Sequence, residues 1–239
     1  MKFKQLESIL SGVDTFDNPK VELEQYPTSA HLGACVIFEA QSRYGDIAGR
    51  SVCDLGTGTS MLAIGAEAMG SSYTLGVDID PDALEIARAN IAEFEVDIDL
   101  VHANVETFRP FGGRRFDTVV MNPPFGTRNV GADLRFLQTA LQISSGAVYS
   151  LHKTSTREFL IRKGQEWGAT VEAIAQLRFD IPAMYDFHKS RTKDVEVDLL
   201  RFDVSKMPPD VVLDIPSEEI PLDPDQERSE GGHHSGGHQ

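Results

Sequence analysis

Residues 50–78 constrain the fold more than any other part of the chain. Residues 50–55 are a short apolar run ending in Asp54-Leu55-Gly56-Thr57-Gly58-Thr59-Ser60, and residues 61–69 follow with helical character, Gly65 and Gly70 lying near their end. A second apolar run, 73–77, stops at Asp78. Strand, glycine turn, helix and strand in this order form a βαβ unit of the kind that cradles a nucleotide. An acid about twenty residues beyond the glycines stands where it reaches a ribose hydroxyl. Gly56 and Gly58 let the backbone approach a ligand that a Cβ would obstruct. The turn and the strand-end acid together predict adenosine binding.

The turn is not built for phosphate. It lacks a Gly-Lys-Ser/Thr ending, and Ser60 stands where a dinucleotide fingerprint would offer its third glycine. Asp54, just before the glycines, would repel a pyrophosphate but attract a cationic amino-acid end, which favours S-adenosylmethionine. Capping of the glycine turn is an equally good role for Asp54, and the two are compatible.

The flanking patterns extend the unit into seven strands with interleaved helices, an α/β chain. Helices are predicted over 3–13, 30–44, 83–94, 134–144 and 155–167. Further strands are predicted over 98–102, 117–121, 147–151, 170–178 and 194–202. Asp80-Pro81 and Asp133 read as helix starts, and Gly168 as a helix end. Gln25 and Thr28 lie in a polar, aromatic loop before the helix at 30–44 and read as turn and cap residues. At the end of the third strand, Asn104-Val105 follows Ala103; Asn104 suits either a turn or a bond to an adenine ring.

The chemistry is expected at residues 116–127, FDTVVMNPPFGT. The apolar run stops at Asn122, because Pro123 and Pro124 cannot continue a helix or a central strand. An Asn carboxamide and a proline carbonyl then form two aimed acceptors, with the flat face of Phe125 beside them. An amine conjugated with a ring or a carbonyl is a poor nucleophile. If Asn122 and the Pro123 carbonyl accept both amine hydrogens, the nitrogen becomes tetrahedral and its lone pair is freed to attack an electrophile in line. An ordinary strand-ending turn is the rival reading.

The net charge of −15 argues against a general basic nucleic-acid surface. One local cluster departs from it: Tyr185, Phe187, His188, Lys189, Arg191 and Lys193, which suits either a flexible RNA strand or a solvated hairpin. His152, Lys153 and Arg157 are candidates for the same rim. Two cysteines, Cys35 and Cys53, have no metal-ligand company, so no metal site is predicted and an intracellular, reduced protein is expected. Neither a signal-peptide core nor a run long enough to span a bilayer is evident. Residues 1–203 read as one domain, and 204–239, rich in Pro, Asp, Glu, Gly and His, as a disordered tail.

These residues resemble the class I S-adenosylmethionine-dependent methyltransferases with an Asn-Pro-Pro-Phe site. More closely, EQYPT (24–28), DID (78–80), MNPPFGT (121–127), AVYSLHK (147–153), STRE (155–158) and EVDLLRF (196–202) resemble the methyltransferase-like protein 5 family. The resemblance covers roughly residues 6–202. It implies a Rossmann-like fold: a seven-stranded, mostly parallel sheet with helices on both faces in the order 3-2-1-4-5-7-6, so that 98–102 is an edge strand. It implies methylation of the N6 amine of one adenosine in small-subunit ribosomal RNA, in a heterodimer with a small zinc-binding activator subunit, in the cytoplasm or nucleus. It also implies cofactor contacts from Gln25, Thr28, Gly56, Gly58, Thr59, Met61, Asp78, Asn104 and Val105, with Asn122, Pro123, Pro124 and Phe125 holding the adenine. Two positions depart from the family pattern: the loop at 57–60 is less glycine-rich, and Asn104 stands in place of Asp. A glutamine-amide methyltransferase acting on a release factor would use the same motif. A non-catalytic RNA-binding scaffold would need neither that motif nor Asp78.

Overall fold

The structure, a computed structural model, describes residues 1–113, 115–182, 192–208 and 213–214. Its helices are α1 (Phe3–Leu10), α2 (Ala30–Tyr44), α3 (Met61–Ala68), α4 (Pro81–Glu93), α5 (Ala132–Ile143) and α6 (Arg157–Glu166). The strands are β1 (Ser51–Leu55), β2 (Tyr73–Asp78), β3 (Ile98–His102), β4 (Phe116–Met121), β5 (Ser144–Lys153), β6 (Thr170–Pro182) and β7 (Thr192–Asp203). They form one sheet in the order β3-β2-β1-β4-β5-β7-β6. The first five are parallel, and β7 runs antiparallel between β5 and β6. The expected α/β architecture and strand order are therefore both observed.

Alternation along the strands explains why both faces are covered. Val52 and Val120 point into one apolar cluster with α1, α2 and α3, while Cys53, Val119 and Met121 point into the other with α5 and α6. Strands buried on both faces are mostly apolar, and β1 and β4 are so apart from Ser51, Asp54, Asp117 and Thr118. The strand order reverses between β1 and β4, and a crevice opens there at the C-terminal ends of the strands.

Several helix starts differ from expectation for local reasons. The Ser29 side chain accepts a hydrogen bond from Leu32 N (3.3 Å) and caps α2, so Thr28 is not the cap. Gly131, with φ 76°, supplies the left-handed turn into α5. Asp133 lies instead in the first turn, where its charge suits the helix dipole. A 3-10 turn, Thr154–Thr156, precedes α6.

Described residues beyond 203 also pack on the sheet. Val204, Met207 and Leu213 are buried against the second cluster, and Trp167 Nε1 and Gln138 Nε2 donate to the carbonyls of Asp214 (3.2 Å) and Leu213 (2.5 Å). Apolar side chains spaced irregularly in a Pro- and Asp-rich stretch carry no periodic signal, yet they still bury. The remainder of the expected tail lies outside the described residues, as does the basic and aromatic cluster from Tyr185 to Arg191. Of the expected rim, only His152, Lys153, Arg157 and Lys193 lie among the described residues. His152 and Lys153 are buried, and the Arg157 guanidinium forks onto buried Asp198 at 2.5 and 2.6 Å. No helix among the described residues is long and apolar enough to cross a membrane.

Candidate active site

A cavity of about 230 Å³ opens at the crevice. The turn from β1 into α3 forms its floor. Gly56 (φ 71°) and Gly58 (φ 53°) are left-handed, and the N–H groups of Gly56 and Thr57 both donate to Val77 O (2.8 and 3.0 Å). A Cβ on Gly56 would stand 2.9 Å from the Phe136 ring, and one on Gly58 would stand 2.9 Å from the Phe16 ring. The turn is thus wedged between two aromatic side chains that only glycine allows so close.

Asp78 ends β2 on the cavity wall, 8% exposed. One carboxylate oxygen accepts from Gly58 N and the other from Asp80 N, both at 2.8 Å. These bonds hold the carboxylate in place, and each oxygen keeps a second lone pair for a ligand hydroxyl. Burial raises the Asp78 pKa above the usual carboxylate value against the pull of those backbone donors. Asn104 also lines the cavity and serves as a turn former as well, since its Oδ1 accepts from Glu106 N at 2.9 Å. Both readings of Asn104 are therefore compatible. Val105 and Met61 supply apolar wall beside Thr59.

Asn122 and Pro124 face the same cavity from the end of β4. The Asn122 Nδ2 donates to Thr28 Oγ1 at 2.9 Å. Among the described residues its Oδ1 has no hydrogen-bond partner, so the carboxamide presents an acceptor. Thr28 orients that amide as well as lining the cavity. Gln25, also on the wall, uses its own amide within the protein: Oε1 accepts from Lys20 N (2.7 Å) and Nε2 donates to Asp80 Oδ2 (2.6 Å).

Three expected site residues lie off the wall. Pro123 is buried beneath the turn, and Phe125 packs against the first core cluster, where an apolar ring gains more than it would facing the cavity. Asp54 lies below the loop, 1% exposed, with Oδ2 accepting from Thr57 Oγ1 (2.7 Å) and Ala63 N (3.1 Å). It takes the capping role alone. Among the wall residues missed in the sequence are Phe16, Leu23, Glu24, Tyr26, Ile79 and Phe136. Phe16 comes from a loop with no pattern, and Phe136 from an amphipathic helix in which it reads as core. Glu24 and Tyr26 stand inside EQYPT and could have been found there.

Asp54 makes stability depend on pH. Burial pushes its pKa from 3.8 up to about 7, against the hydrogen bonds from Thr57 and Ala63 N. A raised folded-state pKa means that the native state holds the proton after the unfolded chain has released it. Asp54's contribution to stability is therefore full below about pH 4 and is lost as pH rises to about 7, on the order of 4 kcal/mol in all. Denaturant titrations at a series of pH values should show this decline in the wild type, and a flatter profile in Asp54→Asn. Parallel profiles would remove Asp54 as the cause.

The site matches known proteins over nearly its whole scaffold. Residues 33–123 match the family Ribosomal protein L11 methyltransferase (PrmA). The rRNA N(6)-adenosine-methyltransferase METTL5 of Danio rerio is 48% identical over 204 residues, covering 84% of this chain and 99% of that protein. The chain belongs to the METTL5 family. The family's Drosophila melanogaster member, rRNA N(6)-adenosine-methyltransferase Mettl5, is 47% identical, covering 85% of this chain and 97% of its own length. The crystal structure of PH1948 from Pyrococcus horikoshii shares the fold with a TM-score of 0.75 at 34% identity, covering 85% of this chain and 96% of that one. EQYPT (24–28) and MNPPFGT (121–127) meet at the Thr28–Asn122 hydrogen bond.

Proposed function

We propose that the chain methylates the N6 amine of an adenosine in small-subunit ribosomal RNA, with S-adenosylmethionine as donor, as the catalytic subunit of a heterodimer. The observation that carries this reading is Asn122, its Nδ2 held by Thr28 and its Oδ1 left as an acceptor on the wall of a cavity that also holds Asp78. The residues present suit the cofactor. Asp78 offers two fixed oxygens to ribose hydroxyls, Gly56 and Gly58 give the backbone close approach, and Asn104 and Val105 border the adenine end, with Thr59, Met61, Gln25 and Thr28 along the remaining wall. Bound there, S-adenosylmethionine supplies a methyl group on a positively charged sulfur, which departs as a neutral thioether.

Asn122 Oδ1 accepts one N6 hydrogen from the wall, and the backbone carbonyl of Pro123, a residue otherwise buried off the wall, accepts the other, which draws the nitrogen out of conjugation. Its lone pair would then be free to accept the methyl group in line, and one N6 proton would pass to water. Pro124 keeps the acceptors rigid on the cavity side. The names of the METTL5 relatives favour adenosine in rRNA over an amide. The decisive experiment is transfer of labelled methyl from S-adenosylmethionine to purified small-subunit rRNA or to a release factor, with digestion of the product. Label recovered as N6-methyladenosine is the expected result, and label confined to a glutamine of the release factor would overturn it.

The partner reading rests on β3. It pairs with β2 alone, so one edge of its backbone is unpaired within the sheet. Ile98 is buried and Leu100 half-buried, and Leu100 lies against Gly76, where a Cβ would come within 2.8 Å of it. A small zinc-binding activator adds a strand at this edge, with backbone hydrogen bonds supplying affinity. Leu100→Pro removes one backbone donor and should abolish co-purification with the activator, with circular dichroism confirming the fold. A folded variant that co-purifies normally would place the interface elsewhere.

A further inference from the structure

Glu24 is a non-glycine residue in the left-handed region, with φ 50° and ψ 42°. Few side chains tolerate that backbone, and an observed outlier of this kind calls for an explanation in what the side chain does. Its carboxylate is directed inward, the residue being 6% exposed. One oxygen accepts from Thr127 N (3.1 Å) and Thr127 Oγ1 (2.8 Å), and the other from Arg128 N (2.8 Å) and Asn129 N (3.4 Å). Four donors converge on one carboxylate more than a hundred residues away in sequence. Three of them are backbone N–H groups in a loop that offers them no secondary-structure partner.

The position of that loop gives these bonds their meaning. It leaves directly from Asn122-Pro123-Pro124-Phe125 through Gly126, which is itself left-handed (φ 73°). The other end of the motif is held by Thr28, whose Oγ1 accepts from Asn122 Nδ2. One five-residue stretch, 24–28, therefore grips the acceptor turn on both sides. That stretch is anchored in turn to the cofactor side of the cavity. Gln25 Nε2 donates to Asp80 Oδ2 (2.6 Å), Lys20 Nζ pairs with Asp80 Oδ1 (2.5 Å) and with Asp82 (2.8 Å), and Asp80 N donates to Asp78 (2.8 Å). A continuous series of hydrogen bonds and ion pairs runs from the strand-end carboxylate to the turn that holds the substrate acceptors.

We infer that Glu24 is a positioning residue. Together with Thr28 it clamps the Asn122–Phe125 turn at both ends and sets where the two acceptor atoms stand relative to the cofactor. This deepens the methyl-transfer reading above and rests on it. A carboxylate is suited to the task because it only accepts, and all four groups facing it are donors. Preorganised acceptors lose effectiveness steeply when displaced: a shift of about 1 Å costs about a hundredfold in rate.

The test is Glu24→Gln, which keeps size and shape but places an NH2 against N–H donors. Amide hydrogen exchange at Thr127, Arg128 and Asn129 should accelerate by about tenfold or more, and kcat should fall by about 10- to 100-fold. Calorimetry should find the affinity for S-adenosylmethionine within about threefold of wild type, a split that general destabilisation would not produce. Thr127→Val removes the hydroxyl donor alone. Its smaller loss in kcat should combine with that of Glu24→Gln less than additively, as expected for two members of one clamp. Unchanged exchange at 127–129 would overturn the clamp, and this readout needs no turnover, so it stands even if wild-type protein transfers no methyl to rRNA and the function reading fails. Faster exchange with unchanged kcat would overturn the positioning role, as would a loss of cofactor affinity as large as the loss of kcat.

Discussion

Asn122→Ala should lower kcat for methyl transfer by about 10²- to 10³-fold while leaving S-adenosylmethionine affinity within about threefold of wild type. The magnitude is that of removing one preorganised polar group aimed at charge that develops in the transition state. The split follows from the geometry. Asn122 is held by Thr28 and presents Oδ1 to the cavity from the end of β4, whereas Asp78 stands on another part of the wall, at the end of β2. Alanine also leaves Thr28 Oγ1 without its donor, a modest loss that a hydroxyl recovers by rotating. Stopped-flow single turnover with rRNA, and calorimetry with the cofactor, measure the two quantities separately. Equal losses in both would move Asn122 to the cofactor side.

Asp78→Ala should do the reverse and weaken S-adenosylmethionine binding by about 10- to 150-fold, the equivalent of the 1.5–3 kcal/mol carried by a hydrogen bond to a charged group. Two effects act together. The ribose loses its acceptor, and Gly58 N and Asp80 N lose the oxygens that shape the turn and the start of α4. Asp78→Asn separates them, because the amide oxygen still accepts from one backbone donor, so its loss should be the smaller. With saturating cofactor, kcat in Asp78→Asn should return to near the wild-type value. Cofactor affinity unchanged in both variants would remove Asp78 from the binding site.

Much of this protein is decided locally. Apolar runs too short for helices, broken by Gly, Pro or Asp, made β1 to β5 legible. Asp80-Pro81 marked α4 to within two residues, because a cap and a first-turn proline act through their own backbone. The glycine turn and Asp78 were legible because close approach to a ligand requires a missing Cβ, and a strand end fixes where a carboxylate points. The end of β4 at Met121 was legible because two prolines in sequence cannot continue a central strand.

Contacts between segments distant in sequence were decided elsewhere. Whether Asp54 faces the cavity or lies beneath it depends on how the turn folds over it, and the donors of Thr57 and Ala63 hold it below. Phe125 looked like a stacking face, but a neighbouring apolar cluster receives it. His152, Lys153 and Arg157 read as a basic rim, yet His152 and Lys153 are buried and β7 brings Asp198 to pair with the half-buried Arg157. Val204, Met207 and Leu213 join the core without any periodicity, since the surface they cover is made by α5, α6 and β7 together. Thr28 looked like a turn or cap residue, and Glu24 carried no reading of its own beyond its place in EQYPT. Their partners, Asn122 and Thr127 to Asn129, lie about a hundred residues further along the chain, and only the folded sheet brings them within hydrogen-bond reach.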